Sequence, residues 1–302
     1  MLKSKKWLIL LALVAVAALG MAACTPPEPE LGSEENPVII SFVPSADADT
    51  VLASATAITD VLSEKTGLTI KAEVPTSYVA SIEAMCNGEA HAGALNTFSY
   101  VVAHERGCAD VALVSIRFGS PTYSGQIITR ADSGITSLED LKGKTFCRPD
   151  AFSTSGWIIP SIAMRAAGVD PDNDLAEVID AGGHTGVVRA VYDGDCDAGA
   201  TFVDARSNVA EELPDVNDVV VVIETSPPIP NDTISFHPDV PAEVRDAIVD
   251  AFLEMASNEE ELAILEDLYS WAGLEKVDDS FYDGFRQMLE ASGVDVTTFI
   301  EE

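Results

Sequence analysis

Hydrophobic and polar positions follow two alternating periods along most of this chain. Val38-Ile39-Ile40-Ser41-Phe42-Val43 is a short apolar run of the length of a buried strand. Leu52, Ala55, Ile58, Val61 and Leu62 then recur every three or four residues, which predicts an amphipathic helix stopped by Gly67. Residues 68–74 predict a second strand, 78–87 a helix, and 90–95, 110–116 and 124–129 further strands. A new unit begins after Ser133-Gly134, with a capping box over Ser137-Leu138-Glu139-Asp140. It continues as a strand at 145–147, a helix to Ala167 capped by Gly168, a helix at 186–192, and strands at 198–202 and 219–223. From Pro241, suited to the first helical position, the tail reads as helical, with Val244, Ile248, Ala251, Phe252 and Met255 on one stripe. Strands alternating with helices predict an α/β fold whose sheet is largely parallel and covered on both faces.

The N-terminus breaks this rhythm. Lys3, Lys5 and Lys6 precede an apolar run over 7–23, and Met21-Ala22-Ala23-Cys24 closes it. This is the layout of a secretory signal (1–23) ending in a lipobox-like motif, with Cys24 as the lipidated first residue of the mature chain. Residues 24–36, rich in Pro and Glu, have little to bury and predict an extended tether. About 265 residues follow, more than one core usually serves, so two domains are expected.

Charge and cysteines narrow the function. The chain has 17 Lys+Arg against 50 Asp+Glu, a net charge of −33; losing the three leader lysines takes it to −36. That excludes a nucleic-acid binder, which needs a basic footprint. An anionic ligand would be held by local, desolvated donors against the global field. Cys86, Cys108, Cys147 and Cys196 are an even set in an extracytoplasmic chain and predict two disulfides, with three pairings open. Neither CxxC nor HxxxH spacing occurs among the cysteines and histidines, so no metal is expected. The chain also lacks a GxSxG elbow and a GxxxxGK[ST] loop, and its serines have no sequence-evident base; an enzyme is not expected.

The candidate chemistry lies at Ser153-Thr154-Ser155-Gly156, between a strand and a helix. A helix start leaves backbone N–H groups unpaired and carries partial positive charge. Three hydroxyls there can donate to the same guest, which suits a tetrahedral oxyanion. The same serines also serve as ordinary N-caps. Pro160, within two turns, predicts an irregular or kinked beginning to this helix.

Short stretches spread along the chain resemble one family. They are Val74-Pro75-Thr76-Ser77-Tyr78, Gly119-Ser120-Pro121-Thr122-Tyr123, Asp140-Leu141-Lys142-Gly143-Lys144-Thr145-Phe146, the Ser153–Gly156 segment, Gly182-Gly183-His184, the 197–204 stretch and Ile229-Pro230-Asn231-Asp232. In order and spacing they are similar to the phosphonate/phosphite/phosphate solute-binding proteins of ABC transporters, of the periplasmic-binding-protein type II superfamily. The resemblance implies two α/β lobes joined by two crossings: lobe one at 37–128 plus 235–302, lobe two at 129–234. It implies that Ser153, Thr154, Ser155 and Tyr78 hold the oxyanion and that Tyr123 and His184 line the cleft. Asp204 and Asp232 match acidic positions that face an ammonium group in aminoalkylphosphonate binders. With that division, the pairs Cys86–Cys108 and Cys147–Cys196 each stay within one lobe. The implied function is capture of a phosphonate, phosphite or phosphate oxyanion by a monomeric, lipid-anchored, extracytoplasmic receptor without cofactor. Its partners would be an ABC permease with its ATPase, or, in the alternative, a signalling partner.

Overall fold

A computed structural model describes residues 29–299; the leader, Cys24 and the first tether residues lie outside them. The tether ends earlier than expected. Gly32 is buried, donates to Asn36 O at 2.7 Å and accepts from Thr69 N at 2.7 Å, so 31–36 dock on the first lobe as a turn. A positive φ of 92° at Gly32 makes that turn possible.

Lobe one is built on a six-stranded sheet. Its strands are β1 Val38–Phe42, β2 Ile70–Glu73, β3 Ala92–Leu95, β4 Asp110–Ile116, and the later β12 Thr233–Phe236 and β13 Gly273–Lys276, in the order β13-β4-β12-β3-β1-β2. Lobe two has β6 Gly125–Arg130, β7 Thr145–Arg148, β8 Glu177–Asp180, β9 Ala198–Phe202 and β10 Val220–Thr225, in the order β10-β6-β9-β7-β8. The chain changes sheets at 117–124 and 226–232. All of β6 therefore sits in the second sheet and all of β12 in the first, a few residues ahead of the expected bounds. Between the sheets, β5 Thr122–Tyr123 pairs antiparallel with β11 Ile229–Pro230. Asn231 pins this ribbon, donating from Nδ2 to Ser115 O at 2.9 Å and Ser120 O at 2.8 Å.

The sheets are mixed, not largely parallel. β1 runs parallel to β2 and β3, whereas β12 is antiparallel to both β3 and β4, and β13 to β4. In the second sheet β6 is antiparallel to β9 and β10. Strands next to a crossing enter their sheet from the other lobe, so no crossover helix sets their direction.

Helices cover both sheets. In lobe one they are α1 Ala48–Thr66, α2 Tyr78–Cys86, α3 Thr97–Glu105, and later α7 Ala242–Ser257, α8 Glu259–Tyr269 and α9 Asp283–Ala291; α1 packs on α7 and α8. Lobe two has α4 Ile159–Ala166, α5 His184–Asp193 and the short α6 Val216–Val219. Its sheet has a core on each face, because successive strand residues point opposite ways. Ile127 and Phe146 join Met164 on one face; Ile128 and Cys147 join Val187 and Val191 on the other.

The structure holds two disulfides, Cys86–Cys108 in lobe one and Cys147–Cys196 in lobe two. Three elements depart from the expectation. α3 was not visible because Thr97–Ala103 are all buried, which leaves no polar stripe to mark a helical period. β8 has only two apolar residues in four. β13, inside the supposedly all-helical tail, has only Leu274 buried.

Candidate ligand-binding cleft

A cavity of about 410 Å³ lies between the lobes. Helix starts from both lobes border it: Thr50 and Val51 of α1, Tyr78 of α2, Asn96 before α3, Thr154 and Ser155, and His184 and Thr185 of α5.

The hydroxyl triplet opens a π-helical turn, Thr154–Ile158, that runs into α4. Pro160 falls in the first turn of α4, where a missing N–H leaves no broken bond. Ser153 is the N-cap: its Oγ accepts from Gly156 N at 3.2 Å. Gly156 is required here, since a Cβ would collide with the Pro149 ring. Thr154 and Ser155 N–H donate to nothing among the described residues, as expected for the first positions of a helical turn. All three side chains are buried.

The Thr154 hydroxyl reaches across to lobe one. It accepts from Asn96 Nδ2 at 2.8 Å and Phe98 N at 2.9 Å. Asn96 Nδ2 also donates to Phe152 O at 2.9 Å, and that acceptor-only carbonyl fixes which way the amide points. Two more bonds join the lobes: Tyr78 N donates to Asp150 Oδ2 at 3.2 Å, and His184 N to Ser45 O at 2.9 Å. Gly183, with φ 126°, lets α5 approach the 45–46 loop; a Cβ there would sit 2.9 Å from Ala46 Cα.

Burial keeps the aromatic hydroxyls neutral. It pushes the Tyr78 phenol well up, and Asp150, Tyr269 and Asp232 nearby add to this. Tyr123 is raised by burial and by Asp232, partly offset by the Ser155 and Thr154 hydroxyls beside it. Both remain donors at any physiological pH. His184 is pushed down to about 3, by burial first and Arg117 second, so its ring is neutral; Nδ1 lies 2.8 Å from Thr201 Oγ1. Asp232 is half-buried; desolvation raises its carboxyl, while Arg117 and the Trp271 indole, whose Nε1 donates to Oδ2 at 3.4 Å, pull it back.

Residues 40–282 match the family described as ABC transporter, phosphonate, periplasmic substrate-binding protein. The chain belongs to this family. It is therefore an extracytoplasmic solute-binding protein that delivers its ligand to an ABC permease, and not an enzyme. Among similar proteins is the phosphate-import protein PhnD of Mycolicibacterium smegmatis, 26% identical over 93% of this chain and 95% of its own. The phosphonates-binding periplasmic protein of Escherichia coli is 27% identical over 70% of this chain and 63% of its own. PhnD1 of Prochlorococcus marinus, solved with methylphosphonate, superposes with a TM-score of 0.76 at 15% identity, covering 89% of this chain and all of that one. A binding component of an ABC phosphonate transporter from Pseudomonas aeruginosa superposes at 0.78 with 22% identity, covering 85% and 86%. These last two show the two-lobed periplasmic-binding-protein type II fold.

Seven of the eight expected ligand residues of this family member line the cavity: Tyr78, Tyr123, Ser153, Thr154, Ser155, His184 and Asp232. Asp204 does not. Its carboxylate is taken by Arg206, with Nε at 2.9 Å from Oδ1 and Nη2 at 2.6 Å from Oδ2, and by Gln126 Nε2 at 3.1 Å. Arg206 is two residues away in the same turn, so this bond forms locally. Arg148, the cation nearest the triplet in sequence, pairs with Asp180 at 2.6 Å and stacks on Trp157. Among the lining residues that sequence reasoning missed are Asn96 and Arg117. Asn96 looks like the last residue of a strand, and Arg117 like a strand-end cation ahead of a turn. Phe202 of lobe two and Tyr123 of the ribbon pack against the Arg117 guanidinium.

Proposed function

We propose that the cleft closes on a single tetrahedral phosphorus oxyanion, a phosphonate, phosphite or phosphate. Ser153, Thr154 and Ser155 bind it from lobe two and Tyr78 from lobe one, with Tyr123, His184 and Asp232 completing the wall. The observation that carries this reading is the start of the 154 turn, where the Ser153 cap takes only the Gly156 N–H. Two free N–H groups and three hydroxyls converge there on one buried cavity. The names of the similar proteins point to the same ligand class. A ligand that binds only the folded protein stabilises it by about 2.7 kcal/mol at a hundred times its Kd. Thermal-shift titration with hydrogen phosphate, phosphite, methylphosphonate and 2-aminoethylphosphonate tests the reading; absence of a shift with all four at millimolar concentration would overturn it.

The finer localisation is also a proposal: the mature chain starts at Cys24 and is held to the membrane by lipid on that residue. The Met21-Ala22-Ala23-Cys24 motif supports it. Cys24→Ala should move the protein from the membrane fraction to the soluble one; an unprocessed wild-type chain that stays membrane-bound would contradict it.

A further inference from the structure

The cavity contains a cation that forms no ion pair with a carboxylate among the described residues. Arg117 directly follows β4 and is 6% exposed. It lines the cavity, and no other Arg or Lys among the described residues does. Its guanidinium carbon stands 4.5 Å from the Phe202 ring centre and 5.5 Å from that of Tyr123, so aromatic faces enclose it from lobe two and from the hinge ribbon. Among the described residues it forms no ion pair, and its Nε is buried without a hydrogen-bond partner. A buried cation left unpaired is costly, and an arriving anion relieves that cost. The two acids expected to meet a ligand ammonium do not offer it a site. Asp204 is bound to Arg206, away from the cavity. Asp232 lines the same cavity as Arg117 and already accepts from the Trp271 indole at 3.4 Å, so an ammonium placed against it would sit in the guanidinium's field. Glu266 and Asp267, the other acids lining the cavity, are exposed and remain solvated.

We infer that Arg117 is the cation that neutralises the bound oxyanion, and that it makes the cleft selective for phosphorus oxyanions without an ammonium group. Hydrogen phosphate, phosphite and simple alkylphosphonates fit; aminoalkylphosphonates do not. The inference rests on the oxyanion reading above and adds the specificity-determining residue. The guanidinium supplies paired N–H donors in a fixed plane, which match two oxygens of a tetrahedral anion.

Titration calorimetry on the full mature chain tests this, with hydrogen phosphate, methylphosphonate and 2-aminoethylphosphonate against wild type, Arg117→Gln, Arg117→Lys and Thr154→Ala. Wild type should prefer one of the two amine-free ligands over 2-aminoethylphosphonate by at least tenfold. Arg117→Gln should weaken that ligand by tenfold or more and narrow the preference, and Arg117→Lys should recover part of both. The ligand-free melting temperature of Arg117→Gln should change little, since loss of the unpaired buried charge offsets the lost aromatic and Asp232 contacts. A lowered ligand-free melting temperature with no recovery by lysine would assign Arg117 a structural role and overturn the inference. So would a wild-type preference for 2-aminoethylphosphonate. Full affinity in Arg117→Gln beside weakened Thr154→Ala would overturn this inference while leaving the oxyanion reading standing; wild type binding none of the three would overturn both.

Discussion

Both lobes point helix starts at the same cavity, yet they finish them differently. In lobe one the starts are closed. Asp47 caps α1, accepting from Thr50 N at 3.1 Å. On α2, Ser77 takes Ala80 N at 3.1 Å, and Asp150, from across the cleft, takes Tyr78 N. The Phe98 N–H of α3 is used by Thr154. In lobe two the caps are neutral: Ser153 before the 154 turn and Gly183 before α5, with no acid in either first turn. A helix start attracts carboxylates for the same reason that it attracts an anionic ligand. In a chain with 50 acids, a usable anion site is one from which the chain's own carboxylates are kept away. The lobe-two starts meet that condition; in lobe one, α1 and α2 do not, and the α3 start is already used by Thr154.

The largest expected effect comes from making the lobe-two start resemble those of lobe one. Ser153→Asp keeps a competent N-cap but sets a carboxylate where the ligand should sit. Affinity for hydrogen phosphate and methylphosphonate should fall at least a hundredfold, about 2.7 kcal/mol, by calorimetry. Retained affinity would mean that the ligand sits elsewhere. Thr154→Ala removes a donor to a charged guest together with two interlobe bonds. A hydrogen bond to a charged group contributes about 1.5–3 kcal/mol, so the loss should be tenfold or more.

His184 gives a smaller, pH-dependent contrast. Its folded value of about 3 lies below the unfolded 6.5, so between those values the unfolded chain binds the extra proton. Its contribution to stability is complete above pH 6.5 and is lost as pH falls towards 3. The loss is about 1.4 kcal/mol per pH unit while only the unfolded form is protonated. Urea melts of wild type and His184→Gln at pH 7 and pH 5 should differ in slope with pH; parallel curves would place the ring in water. The smallest effect belongs to the acids outside the site. Asp204→Asn and Asp47→Asn should leave affinity within about twofold, because Asp204 faces Arg206 and asparagine caps α1 as well as aspartate does. A tenfold loss in Asp204→Asn would return that residue to the cavity wall.

What could be read from the sequence was what local pattern encodes. The strands of buried apolar runs, the capping box at Ser137, the hydroxyls before Gly156 and the irregular start near Pro160 all depend on neighbours a few residues away. The direction of β12 and β6 was not legible, because it is set by crossings between lobes and not by anything within the strand. Asp204 and Arg117 show the same limit from opposite sides. Asp204 was misread although its partner is two residues away, because family resemblance was weighed above an Asp-Ala-Arg turn. Arg117 could not be read at all: Tyr123 is six residues on, but Phe202 comes from the far lobe.

The Thr154 hydroxyl carries one proton and two lone pairs. In water it exchanges partners freely and has no preference for donors or acceptors. In the closed cleft both lone pairs are filled from lobe one, by Asn96 Nδ2 and Phe98 N. Its two partners cannot accept, so the proton is left for the cavity. With these two bonds made, a group of either polarity is a donor only. A guest rich in acceptors gains from the movement of the lobes, while a guest presenting its own N–H at that spot meets a proton where it needs a lone pair. In the reading proposed above, part of the discrimination is in this way made by the bonds that join the lobes.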